Sequence, residues 1–113
     1  MPTSLLGMNG KAIMVIGGGQ GMGESTARFL AMAGADVAVV DVVAERAETV
    51  AQSVRHLGRR GVAVVGDVLD DAQVERIVAE VEEKLGALDG MVAIVGAAAF
   101  ESLLEMKPQT WDF

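Results

Sequence analysis

Short apolar runs alternate along this chain with segments whose apolar residues recur at helical spacing. "AIMVI" (Ala12–Ile16) is continuously apolar, as a strand buried on both faces would be. After a cluster of glycines, Met22, Thr26, Phe29, Leu30 and Ala33 recur at helical steps, which predicts a helix with that face in the core and Gly34 as its stop. "DVAVVD" (Asp36–Asp41) reads as a second strand. Ala47, Val50, Ala51, Val54 and Leu57 then mark the inward face of a second helix closed by Gly58. "VAVV" (Val62–Val65) is a third strand. Asp70, with Gln73 three residues on, resembles a capping box. It opens a third helix whose inward face is Val74, Ile77, Val78, Val81 and Leu85 and whose stop is Gly86. "MVAIV" (Met91–Val95) is a fourth strand.

Strand and helix alternate three times before that last strand. Such alternation predicts an α/β fold: a Rossmann-type parallel sheet with helices on both faces, strand order 3-2-1-4. Met91–Val95 is apolar on both faces and reads as an interior strand. Pro108 stands where the first turn of a further helix would begin, and "PQTWDF" supplies barely more than one turn. The expectation is that residues 1–113 are one dinucleotide-binding domain, the N-terminal part of a larger domain for which Trp111 is a packing anchor.

The stretch "VIGGGQGMGEST" (Val15–Thr26) sits between the first strand and the first helix. A pyrophosphate needs backbone N–H groups aimed at it, no side chains in the way and a helix N-terminus behind it, and a strand–glycine–helix turn provides all three. The spacing G-x-G-x-x-G fails, because its third glycine would fall on Met22. G-x-x-x-G-x-G fits at Gly17, Gly21 and Gly23. No lysine follows, so this is not a P-loop. A simple turn needs fewer glycines, since each costs backbone entropy on folding. The loop bets are therefore Gly17, Gly18, Gly19, Gln20, Gly21, Met22 and Gly23. Asp41 ends the second strand about twenty residues further on, where a ribose-binding acid belongs. Its carboxylate would accept from the ribose hydroxyls and repel a 2′-phosphate, and Gln20 offers no compensating cation, so NAD is expected over NADP. Asp67, in "GDV", ends the third strand and would accept from the adenine amino group with Val68 packed on the ring; a plain turn aspartate is an equal reading.

Composition narrows the partners. Apolar residues make up 51% of the chain and no run is long enough for a membrane span. A formal charge of -7 argues against nucleic acid. The absence of cysteine excludes disulfides, thiolate metal sites and cysteine nucleophiles. "MPTSLLGMNGK" lacks the features of a signal peptide, and a cytoplasmic setting is expected. His56 lies among Arg55, Arg59 and Arg60 at a helix end and reads as a solvated terminus. Glu75, Glu80, Glu82 and Glu83 read as a solvated helix face, so no metal site is expected. Ser25 and Thr26 suit a helix start better than nucleophilic catalysis.

Taken together, Gly17-x-x-x-Gly21-x-Gly23, Asp41, Gly66–Val68, "LDGMVAIVG" (Leu88–Gly96) and "MKPQTWDF" resemble the N-terminal half of the short-chain dehydrogenase/reductases. The resemblance implies NAD(P) binding and hydride transfer between the cofactor and a small alcohol or ketone. It also implies that Gly96 sits near the nicotinamide-side ribose and that the protein is a homo-oligomer. Three departures stand out. Ile16 occupies a position that is usually threonine. Ala93-Ile94-Val95-Gly96 replaces the usual Asn-Asn-Ala-Gly. A buried polar orphan costs about 1–3 kcal/mol whereas losing both partners is nearly neutral, so the two changes compensate if Ile16 and Ala93 meet. Finally, the family's acid/base is the tyrosine of a Tyr-x-x-x-Lys pair, and this sequence has no tyrosine. No catalytic residue is therefore assigned, and the 113 residues alone are expected to be inactive. Two other readings remain: a non-catalytic nucleotide-binding fragment or scaffold, and an S-adenosylmethionine-dependent methyltransferase, which shares the glycine-rich first loop and strand-ending acid.

Overall fold

In the computed structural model, residues 5–96 and 100–111 are described. The first four residues of the N-terminal segment and the last two of "PQTWDF" lie outside the described residues. Four strands, β1 (Ala12–Ile16), β2 (Asp36–Asp41), β3 (Gly61–Val65) and β4 (Gly90–Ala93), form one parallel sheet in the order β3-β2-β1-β4. Helices α1 (Gly21–Met32), α2 (Ala44–His56) and α3 (Asp71–Leu85) connect them, and a short α4 (Pro108–Trp111) follows. The expected strand order and the alternation of strand and helix are therefore the observed ones. Pro108 occupies the first position of α4, where its missing N–H costs nothing.

Strand alternation divides the core into two layers. Ile13, Val15, Val37 and Val39 face α1 and α2, where they meet Ala27, Ala31, Ala47, Val50, Ala51 and Val54. Ala12, Met14, Ala38, Val40 and Val64 face α3 through Ile77, Val81 and Leu85. Every residue of β2 is buried, as expected of a central strand covered on both sides.

Two inward faces differ from expectation. Of the α1 stripe, Leu30 packs partly buried against the core, but Met22 is 73% and Phe29 67% exposed, and Gly23, Ala27 and Ala31 are the residues that face the sheet. The reason is clearance. A Cβ on Gly23 would lie 1.9 Å from the Gly17 carbonyl oxygen, so α1 rides too close to the sheet for a large side chain to fit beneath it. Leu57 is also half out, since it follows the last turn of α2 and the chain turns away at Gly58 with φ +85°. The capping box is rearranged too. Asp70 accepts from the Ala72 N–H at 3.0 Å, but Gln73 accepts from the Asp67 N–H at 2.9 Å rather than returning to Asp70's own. The Gln73 amide and the Ala72 N–H hold the Asp70 carboxyl below its ordinary range. β4 is shorter than "MVAIV", stopping at Ala93, and it forms one edge of the described sheet with Met91 58% exposed. Among the described residues no helix is long and apolar enough to cross a membrane.

At the amino end of β2, Asp36 is buried and ties two elements together. Its Oδ1 accepts from the Arg60 N–H at 2.9 Å and pairs with Arg59 at 3.0 Å; its Oδ2 accepts from Arg60 Nε at 3.1 Å. Burial pushes its pKa up, but the Arg60 N–H, the Arg60 side chain and the charges of Arg59 and Arg60 outweigh that and leave it below the ordinary 3.8. A carboxyl with a lowered folded-state pKa stabilises the fold above its unfolded-state pKa, and that contribution fades as pH falls through the folded-state value. Asp36→Ala is expected to cost about 1–3 kcal/mol at neutral pH, and the melting-temperature gap to the wild type should narrow below pH 4. A gap independent of pH, in thermal melts followed by circular dichroism, would contradict this role.

Candidate functional site

The carboxyl ends of the strands open onto a cleft of about 610 Å³. Ile16 and Gly17 from the end of β1, Gln20 and Gly21 from the glycine loop, and Val40 and Asp41 from β2 line it. Val42 and Arg46 beyond β2, Gly66–Leu69 beyond β3, and Ile94–Gly96 beyond β4 complete it. Its size is that of a small-molecule site, and its position is the one an open parallel sheet gives to ligands.

The glycine loop divides into two halves with different work. In the first half the N–H groups are used by the protein itself. Gly17 and Gly18 both donate to the Val40 carbonyl, at 2.8 and 3.1 Å, and Gly19 donates to Asp41 Oδ2 at 3.0 Å. Side chains are excluded here by packing. A Cβ on Gly17 would lie 2.1 Å from the Ile94 carbonyl oxygen and one on Gly19 would lie 2.5 Å from Asp41 Oδ2. In the second half the loop becomes α1. Gly21, at φ +58°, has open space around its missing Cβ. The first helical N–H groups have no partner one turn back, and Gln20, the N-cap, makes no side-chain cap. These donors and the positive end of the helix dipole suit an anion.

Asp41 is 8% exposed. Besides the Gly19 bond, its Oδ1 accepts from the Val43 N–H at 3.0 Å, so one carboxylate fixes both the glycine loop and the turn into α2. Each oxygen keeps a second acceptor direction. Asp67 is half-buried; its Oδ1 accepts from the Leu69 N–H at 2.9 Å, forming a local turn, and it also lines the cleft. Asp67 thus makes the local turn that its bland reading requires, and it does so at the wall of the cleft.

Of the residues expected from sequence, Gly17, Gln20, Gly21, Asp41, Asp67, Val68 and Gly96 line the cleft. Gly18, Gly19 and Gly23 lie behind it as packing contacts, and the Met22 side chain is in solvent. Sequence reasoning passed over Val42, Leu69 and Arg46. Val42 and Leu69 are apolar yet 62% and 85% exposed at the cleft rim. Their signal was available: Val42 follows Asp41, which ends β2, and Leu69 closely follows Asp67, which lies two residues past the end of β3 rather than ending the strand as expected. Arg46 had none, because only the fold of α2 brings it to the loop. Ile16 and Ala93 are register partners in the β1–β4 pair, and the Ile94 N–H donates to the Ile16 carbonyl at 2.9 Å. The two departures from the familiar pattern therefore sit side by side.

The family described as short chain dehydrogenase matches residues 11–113. The chain belongs to the short-chain dehydrogenase/reductase family. Among curated relatives, 2,3-dihydro-2,3-dihydroxybenzoate dehydrogenase of Bacillus subtilis is 34% identical over 106 residues, which is 94% of this chain and 41% of that protein. Among solved structures, NAD+-bound xylitol dehydrogenase superposes with a TM-score of 0.88 at 29% identity, covering 94% of this chain and 41% of that one. L-sorbose reductase from Gluconobacter frateurii, complexed with NADPH and L-sorbose, gives 0.80 at 27% identity, covering 91% of this chain and 40% of that one. The chain spans about two fifths of the length of each of these proteins.

The clearance at the loop makes two glycine substitutions diverge. Gly23→Ala places a methyl 1.9 Å from the Gly17 carbonyl oxygen, which forces α1 off the sheet at a cost expected above about 3 kcal/mol. Gly21→Ala meets open space and pays only for its positive φ, about 1 kcal/mol. Chemical denaturation of both variants checks the ranking; equal losses would refute the packing account.

Proposed function

We propose that this chain is the NAD-binding portion of a short-chain dehydrogenase/reductase that transfers hydride between NAD and a small alcohol or ketone. The observation that carries the reading is the pairing of uncapped donors at the start of α1 with a buried acid at the end of β2, on one cleft. The residues present fit the cofactor. The uncapped N–H groups at the start of α1, with Gly21 on the cleft wall, would hold the pyrophosphate, Gly17 and Gln20 would shape its bed, and Gly23 would serve by seating the helix close behind it. Asp41 would accept from the adenosine ribose hydroxyls and, by its charge, favour NAD over NADP. Asp67 would accept from the adenine amino group, with Val68 against the ring. Gly96 would stand by the nicotinamide-side ribose. Gly18 and Gly19 serve by holding the loop in place.

NAD when bound supplies the hydride acceptor. This chain's residues bind and orient it; with no tyrosine in the sequence, we assign the chain no acid/base, and on its own it is a binding module.

Calorimetric titration of the 113-residue chain with NAD and with S-adenosylmethionine tests the proposal. NAD should bind and S-adenosylmethionine should not; the reverse would sink it. Asp41→Ala should weaken NAD by about tenfold or more, the loss expected for a charged acceptor of ribose hydroxyls. Circular dichroism of the variant should separate that loss from unfolding. NAD-dependent alcohol oxidation by the chain alone should be absent.

A further inference from the structure

The cleft contains one cation, Arg46, that no carboxylate answers among the described residues. Arg46, in the first turn of α2, lines it beside the glycine loop. A Cβ added to Gly19 would lie 2.8 Å from the Arg46 Cβ and 2.5 Å from Asp41 Oδ2, so the arginine stem begins next to the Asp41 carboxylate. Arg28, Arg55, Arg59, Arg60 and Arg76 each have a carboxylate within 4.0 Å. Arg46 makes no ion pair and no side-chain hydrogen bond among the described residues. Asp41, meanwhile, is held in place by the Gly19 and Val43 N–H groups, one to each oxygen. The cleft thus presents a short, buried, fixed anion and a long, exposed, unengaged guanidinium at the same corner.

These two groups treat a ribose 2′-position oppositely. Asp41 accepts from a hydroxyl and repels a phosphate. A guanidinium is a rigid fork of donors matched to phosphate oxygens, and its flexible stem lets the charge approach a phosphate that Asp41 pushes outward. We propose that Arg46 is a specificity residue that lets the adenosine corner of the cleft accept a 2′-phosphate against the repulsion of Asp41. The inference rests on the dinucleotide reading above. It narrows the preference for NAD: NADP is admitted at a reduced affinity set by the balance of the two side chains.

Adenosine 5′-monophosphate and adenosine 2′,5′-bisphosphate differ only in the 2′-phosphate, and their binding to the full 113-residue chain isolates that balance. Calorimetry should detect both. Arg46→Gln, which keeps most of the stem and removes the charge, should weaken the bisphosphate about tenfold and leave the monophosphate within about twofold. Arg46→Lys, keeping the charge, should recover most of the bisphosphate affinity. Raising salt should weaken the bisphosphate more steeply in the wild type than in Arg46→Gln. Equal losses for both nucleotides in Arg46→Gln, no loss for either, or a wild type that binds the monophosphate alone would each overturn the inference. A folded wild type that binds neither nucleotide would overturn the dinucleotide reading itself, and the inference with it.

Discussion

The contact between the first turn of α1 and the end of β1 governs the rest of the structure. Gly23 lies so near the Gly17 carbonyl that a methyl there would stand 1.9 Å from its oxygen. The helix therefore crosses the sheet at backbone range. Ala27 and Ala31 fit beneath it where leucine or phenylalanine would not. Large apolar residues are displaced to another side of the helix, which is why Met22 and Phe29 are in solvent. The same close seating brings the first-turn N–H groups to the mouth of the cleft, so packing and ligand chemistry share one cause.

A second tie secures that arrangement from β2. The strand carries the two buried acids of the described core, Asp36 at its start and Asp41 at its end. Asp36 is neutralised by Arg59 and Arg60 and acts as a structural clasp. Asp41 has no such partner among the described residues and is held by backbone N–H groups from the glycine loop and the α2 turn. A buried carboxylate without a counter-ion is costly unless it is well hydrogen-bonded. At the cleft that cost leaves a fixed negative charge with acceptor capacity to spare, and this contrast between the two ends of β2 separates the end of the sheet that opens on the cleft from the end that is clasped shut.

How much of this was legible in the sequence follows from the range of the signals. The strands were legible because continuous apolar runs between turn residues admit little else, and Ala12–Ile16 and Asp36–Asp41 match to the residue. The inward face of α1 was legible only at Leu30, because periodicity shows that a helix has an apolar stripe but not how near its neighbour lies; small residues at close range carry no hydrophobic signature. Asp41 was legible through its distance from the glycines. Arg46 was not, since no local spacing links it to the loop and only the winding of α2 brings it there. The pairing of Ile16 with Ala93 needed the β1–β4 register, a long-range fact.

The glycines themselves change meaning once the structure is considered. Their number looked like a mark of ligand binding, yet Gly17, Gly19 and Gly23 are each required by a contact inside the protein, and Gly18 is tightly flanked by Val15 and Val39. A chain could keep all four for folding and hold nothing. What separates a cradle from a turn is the donors left over. Gly21 is the loop glycine that packing does not explain, and it stands where the helix N–H groups begin. A serine or aspartate at position 20 would cap those groups and satisfy them internally. Gln20 does not, so the donors remain available at the cleft. The informative feature of the loop is thus a residue that declines to cap, and the glycines around it are the means of bringing that uncapped turn to the end of the sheet.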